Sequence, residues 1–191
     1  MRYDDQAEGM MAESEVKINR APVLTLWAAV VAERLGYDRS ASLTFGKAVA
    51  GLNAQAKGRT LGIYKPSKPP ERGKAPKKTG LGEEFWVQIC GRPVPAKNTQ
   101  EGIRAVVLDK PIDPAYVDKY LAGKFGDSLA AVRKAMEDLA SSFTPEQLNE
   151  VAFSLYHEFR PEVARGTKGW GQPGTLSVQR IQDLAKQHGA K

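Results

Sequence analysis

The most apolar part of the chain lies near its start, where Leu26–Ala32 forms an unbroken apolar run. Pro22 suits the first turn of a helix and Gly36 suits the position after a helix end, so a helix is predicted between them. Its residues are apolar on nearly every side, which is typical of a helix surrounded by other elements. We therefore expect this helix to be the central element of the core.

A second helix is predicted after a short turn, beginning near Arg39–Ala41 with Asp38 or Ser40 as its cap and ending at Lys57, before Gly58. At about 100° per residue, one face carries small or apolar residues: Ala41, Phe45, Ala48, Val49, Leu52 and Ala56. The opposite face mixes apolar and basic residues: Arg39, Leu43, Lys47, Ala50, Ala54 and Lys57. One face is thus expected to pack on the core.

Two short segments with β-branched and aromatic residues, Thr60–Tyr64 and Phe85–Gly91, flank the basic, Pro/Gly-rich stretch Lys65–Gly82. They are predicted to be the strands of a hairpin with a long loop at its tip. Four prolines in that stretch rule out a helix there. Ile103–Leu108 could be a strand or one turn of helix.

The C-terminal part has a helical pattern. Four helices are predicted there. The first begins at Asp113-Pro114 and ends near Ala122, and the second begins at a cap on Asp127 and ends at Ser141. The third runs from Thr144-Pro145-Glu146-Gln147 to Phe159, and the fourth runs from a cap on Ser177 to about Gln187. A Gly-rich loop around Trp170, Arg165–Gly174, separates the last two helices.

Positive charge is concentrated in one segment of the chain. The formal net charge is +6, and residues 57–78 hold eight Lys or Arg with Glu71 as their single acid. Residues 1–16 carry five acidic residues and one Arg, so we expect a disordered acidic tail there. A local positive field of this kind attracts phosphate backbones or acidic surfaces.

The segment Ala32–Leu43 resembles the centre of a helix-turn-helix. In that motif a small residue, here Ala32, lets two helices pack closely, and a glycine, here Gly36, allows a left-handed turn before the capped second helix. With the predicted hairpin behind it, the chain over residues 20–92 resembles a winged-helix domain, and as a whole it resembles uncharacterised bacterial proteins. The resemblance implies that the first turns of the second helix face the DNA major groove.

These patterns predict a mainly α fold with a small β-hairpin. Residues 17–92 would form a helix-turn-helix or winged-helix-like module, with Val16–Asn19 as a short extended piece at its start. Residues 93–112 would be a connector, and residues 113–191 a helical module packed against the first.

The predicted function is non-enzymatic binding of nucleic acid, with DNA favoured over RNA. Phosphates would be held by the basic loop through Lys65, Lys68, Arg72, Lys74, Lys77 and Lys78. A groove would be approached by the second helix and its end through Arg39, Ser40, Lys47, Lys57 and Arg59. Trp170 could stack on a base, or could fix its own loop to the core.

Two alternatives remain at this point. The outer face of the second helix could pack against the C-terminal half instead of DNA. The chain could also be a protein-interaction module, whose basic loop docks an acidic partner protein or the chain's own acidic tail.

The sequence contains few residues of the types that commonly catalyse reactions or bind metals. Cys90 is the single cysteine and is expected to be a buried thiol in an apolar strand, and the two histidines are His157 and His188. These are too few ligands for a His/Cys metal site, so no metal or cofactor is expected. Gly166–Gly174 lacks the ending of a phosphate loop. No membrane-spanning run is present, and we expect a cytoplasmic protein.

Overall fold

The computed structural model describes residues 15–60, 84–107, 110–163 and 173–189, with the backbone alone for residues 55–60. This part of the chain is mainly helical, as predicted, and it contains two small antiparallel sheets where one β-hairpin was expected. The elements in chain order are β1 (Glu15–Ile18), α1 (Arg20–Arg34), α2 (Arg39–Thr60), β2 (Glu84–Ile89), β3 (Arg92–Thr99), β4 (Gly102–Val107), β5 (Lys110–Pro111), α3 (Pro114–Phe125), α4 (Leu129–Ser141), α5 (Pro145–Phe159), β6 (Gly174–Ser177) and α6 (Val178–Gly189). Within those ranges, no helix combines the length and the apolarity that a membrane crossing requires.

The helix α1 is the centre of the core. Every residue from Pro22 to Ala32 is buried, which confirms the prediction from its all-round apolar pattern. The helices α2, α3, α4 and α5 all pack against it. Trp27 is fully buried, and its indole N–H donates to the Ala152 carbonyl of α5 at 2.8 Å. The two predicted modules therefore share one core.

The turn between α1 and α2 has the predicted chemistry. Gly36 adopts a φ of 110°, a conformation that L side chains rarely take, and so ends the first helix. The Asp38 carboxylate accepts a hydrogen bond from the Ala41 amide at 2.8 Å and so caps the second. The helix α2 then runs to Thr60, three residues beyond its predicted end.

The predicted pairing of Thr60–Tyr64 with Phe85–Gly91 is tested only in part. Thr60, expected to begin a strand, is the last residue of α2, and residues 61–64 lie outside the described part of the chain. The strand β2 pairs with β3 in a sheet of order β2-β3-β4-β5. Cys90 (φ 55°) and Gly91 (φ 72°) make the two-residue turn between these strands, because two consecutive positive φ values fit the twist of a tight hairpin. In the segment Ile103–Leu108, residues 103–107 lie in a strand, β4, and not in a helical turn, and Leu108 lies outside the described residues.

Cys90 is buried as expected, but it lies in this turn and not within a strand. Burial raises the pKa of its thiol from an ordinary 9.0 to about 12. Burial likewise raises the pKa of the Tyr156 hydroxyl from 10.0 to about 12. In the folded protein both groups therefore stay neutral near pH 9.0 and 10.0, where the same groups lose their protons in the unfolded chain.

We expect stability to be unaffected by these two groups below about pH 8 and to fall as the pH rises from about 8 towards 12, because only the unfolded chain can lose these protons easily. Urea unfolding at pH 8 and pH 10.5 measures this loss. Cys90→Ala is expected to reduce the difference between the two pH values. Rapid alkylation of the native thiol by iodoacetamide at pH 8 would contradict the assigned burial.

The second sheet joins the two ends of the described chain. In it β1 pairs with β6, and Val16 lies opposite Leu176. The extended piece predicted at Val16–Asn19 is confirmed, but Glu15 and Val16 belong to this strand and not to a disordered tail. The strand residues that point inward, including Ile18, are buried.

The helix starts in the C-terminal part follow their capping signals with one exception. Thr144 and Gln147 form the predicted reciprocal capping box, Asp113 caps α3, and the Ser177 hydroxyl accepts from the Arg180 amide. Asp127, predicted to cap α4, instead lies inside a short 3-10 turn, Gly126–Ser128, which continues the chain from α3 into α4 without a separate cap.

Candidate nucleic-acid interface

The first turns of α2, which the helix-turn-helix resemblance directs to a DNA groove, are packed inside the protein. Residues 41–46 are all buried, between α1, α3 and β4. The Thr44 hydroxyl donates to the Ala41 carbonyl at 2.7 Å and accepts from the Ala105 amide of β4 at 3.0 Å. A recognition helix needs these turns exposed. This geometry agrees with the alternative prediction, in which the outer face of the second helix packs against the C-terminal half.

Arg39 and Ser40 precede the buried turns. Arg39 is directed at α3, where its guanidinium lies 3.5 Å from the Asp118 carboxylate. Both side chains are more than half exposed, so this ion pair contributes little to stability. Ser40 is half-buried. At the start of α2, Arg39 is thus exposed and paired with an acid, and Ser40 is only partly accessible.

Most of the other predicted contact residues lie outside the described part of the chain. They are Lys65, Lys68, Arg72, Lys74, Lys77, Lys78 and Trp170. Lys57 and Arg59 lie in the last turns of α2, where the backbone alone is described. Among the predicted contact residues, the surroundings of Lys47 therefore matter most for judging whether α2 can bind a nucleic acid.

Lys47 reaches from α2 onto the surface of α3. Its ammonium nitrogen lies 4.1 Å from the centre of the Tyr120 ring, which is a cation–π distance. On α3, Tyr116, Tyr120 and Lys124 follow each other at intervals of four residues and therefore share one side of the helix. Lys47, Tyr116, Tyr120 and Lys124 are here named the lysine–tyrosine surface.

The lysine–tyrosine surface contains two lysines and no acidic residue, so its positive charge is not compensated by its own members. Burial lowers the pKa of Lys47, and the positive charge of Lys124 lowers it further. Burial raises the pKa of Tyr120, and the neighbouring Tyr116 adds to the shift. An anion bound beside the two lysines would stabilise both ammonium groups.

The helices that carry this surface are strongly basic. From residue 39 to residue 60, α2 contains four basic residues and no acid. In α3 the one acid is Asp118, which faces Arg39. Lys57 follows Lys47 along the helix by roughly 15 Å, at the usual rise per residue. Basic residues thus recur along α2 towards the basic segment that follows it in the sequence.

Tyr116, Tyr120 and Lys124 were not among the predicted binding residues. Their spacing of four residues was visible in the sequence, but the helix that carries them was assigned to a separate module. Its approach to α2 depends on contacts between residues some 70 positions apart, which periodicity does not reveal.

A concave region lies where the Gly91 turn meets the start of α5, with a cavity of about 480 Å³. Leu35, Glu146 and Asn149 are among its lining residues. The Asn149 amide donates to the Gln88 carbonyl at 3.3 Å, and the amide oxygen is buried without a hydrogen-bond partner in the described structure. Because its charged lining is acidic, this region does not suit a polyanion.

Within the described ranges, no three His, Cys, Asp or Glu side chains are grouped so that they could hold a metal ion. His157 is exposed on α5, beside the ring of Phe153 at 4.8 Å between centroids. No protein-family model, no curated protein and no solved structure matches this chain. The residues of the lysine–tyrosine surface must therefore be interpreted from their own chemistry.

Proposed function

We propose that this protein binds nucleic acid, DNA in preference to RNA, without catalysing a reaction. The lysine–tyrosine surface would hold the sugar–phosphate backbone, and the basic residues of positions 57–78 would extend the contact. The observation that carries the proposal is the placement of Lys47 over Tyr120 with Lys124 beside it. The helix-turn-helix mode of base reading is not part of the proposal, because residues 41–46 are buried.

Lysine suits this role because its ammonium is a compact positive charge that binds phosphate from many directions. Each phosphate that a lysine neutralises releases condensed counterions, so such binding weakens steeply as the salt concentration rises. Contacts of this type orient the nucleic acid without reading its sequence. The proposed binding is accordingly tight at low salt and weakly sequence-dependent.

Replacing both lysines by glutamine, Lys47→Gln with Lys124→Gln, is expected to weaken oligonucleotide binding about tenfold. The slope of log K against log salt should become shallower by about one to two, because up to two phosphate contacts are lost. Fluorescence anisotropy of a labelled oligonucleotide at several salt concentrations measures both quantities.

Lys134→Gln is the matched control. Lys134 is also an exposed helical lysine, but it lies on α4 and its ammonium is 2.6 Å from the Asp138 carboxylate. Asp118→Asn provides a change of opposite sign, since it removes the acid of α3, and should tighten binding by about twofold. Unchanged affinity and salt slope in the double variant would exclude the lysine–tyrosine surface as the binding site.

The acidic-protein alternative predicts a different result in the same assay. A surface made for an acidic protein should bind polyglutamate at least as tightly as an oligonucleotide of equal length. A clear preference for the oligonucleotide supports nucleic-acid binding, because phosphates carry the higher charge density along their backbone.

A further inference from the structure

Tyr116 is the exposed aromatic side chain of the lysine–tyrosine surface. It is 60% exposed, although it lies in the first turn of a well-formed helix that is capped by Asp113. The packing of α3 relies on its other side, where Val117, Leu121 and Phe125 are buried. An aromatic ring that the core does not use is available to a ligand.

The ring lies on the same side of α3 as Tyr120 and Lys124. It lies one helical turn before Tyr120, close enough to influence the pKa of that residue. Tyr120 carries the Lys47 ammonium at its ring, whereas Tyr116 presents most of its surface to solvent. Along α3 the surface therefore runs from an exposed ring, through a ring covered by an ammonium group, to Lys124.

An exposed ring beside phosphate-binding cations suits one form of nucleic acid better than the other. In a duplex the faces of the bases are covered by their neighbours, so an external ring has nothing on which to stack. In a single strand the base faces are accessible, and stacking on an aromatic side chain is favourable for any base. Alternating cations and exposed rings are the usual composition of single-strand binding surfaces.

We propose that the ligand of the lysine–tyrosine surface is single-stranded nucleic acid, with an unpaired base stacked on Tyr116 and the adjoining phosphates held by Lys47 and Lys124. This inference rests on the proposed function and specifies its ligand class. Tyr120 is the positioning residue for Lys47, because its ring holds the ammonium group near Lys124.

The test compares a labelled 15-nucleotide thymidine strand with a 15-base-pair duplex, using the full chain in both anisotropy assays. Tyr116→Ala is expected to weaken single-strand binding about tenfold and duplex binding less than about twofold. Tyr116→Phe retains the ring and should bind the single strand like the unchanged protein. Equal melting temperatures of the three proteins show that a lost contact is not lost folding.

Photocrosslinking gives an independent readout. A strand containing 5-iodouracil is expected to crosslink to Tyr116, and mass spectrometry of the digested adduct identifies the residue. Single-strand binding that survives Tyr116→Ala, or an equal loss for both ligands, overturns the stacking inference. The proposed function then still stands if Lys47→Gln with Lys124→Gln remains defective; absence of binding to either ligand by the unchanged protein overturns both proposals.

Discussion

Trp27→Ala is expected to lower the free energy of unfolding by about 3–5 kcal/mol. The side chain is fully buried, packs edge-on against Phe159 at 5.3 Å, and donates its indole N–H to the Ala152 carbonyl. Its removal leaves a cavity between α1 and α5 and also removes that hydrogen bond. Since a domain of this size is commonly stable by only about 5–15 kcal/mol, the variant should be close to unfolding.

Urea unfolding followed by circular dichroism measures the loss. Trp86→Ala is the control, since the same substitution removes a side chain that is 37% exposed on β2 and should cost clearly less. Because α1 packs against helices from both halves, we expect a single cooperative transition in the unchanged protein. A loss below about 1 kcal/mol for Trp27→Ala would contradict the central position of this side chain.

Gly46→Ala is expected to destabilise the protein by about 2 kcal/mol, against the ordinary preference of helices for alanine. An added Cβ would lie 2.1 Å from the Thr25 carbonyl oxygen and 3.2 Å from the Ala29 Cβ. The obstacle is the backbone of α1, so the two helices would have to separate. Overpacking of this kind costs about 1–3 kcal/mol or more and outweighs the gain in helix propensity of up to about 1 kcal/mol.

Gly51→Ala is the matched control on the same helix. An added Cβ at Gly51 meets no atom within 4 Å, so only the propensity gain applies and the variant should be slightly more stable. The two substitutions are thus expected to change the urea midpoint in opposite directions. Equal midpoints would show that α1 and α2 can separate at little cost.

The local features of the fold were predictable because their causes lie within a few residues. The Gly36 turn, the Asp38 cap and the capping box of Thr144 and Gln147 each depend on side chains and backbone groups three or four positions apart. The burial of α1 was predictable from its composition alone. Asp127 shows the limit even here, because a tight 3-10 turn joined two helices where the pattern indicated a fresh start.

Strand pairing was not predictable in the same way. The segments Thr60–Tyr64 and Phe85–Gly91 had the composition of paired strands, but the Cys90–Gly91 turn brings β2 against β3. A cysteine is an unusual residue for a left-handed turn position, so the turn gave little signal. The partner of β1 lies more than 150 positions away, which no local pattern specifies.

Local sequence patterns were enough to predict the mainly helical class, the central helix, most of the helix starts and the concentration of positive charge, because each depends on composition or on neighbours within one helical turn. They could not predict that residues 41–46 of α2 are buried or that Lys47 meets Tyr120 and Lys124. That meeting results from the packing of α2 and α3 around a shared core, where residues distant in sequence bury apolar surface together. Because this packing buries residues 41–46, the candidate interface is the lysine–tyrosine surface and not the predicted DNA-facing turns of α2.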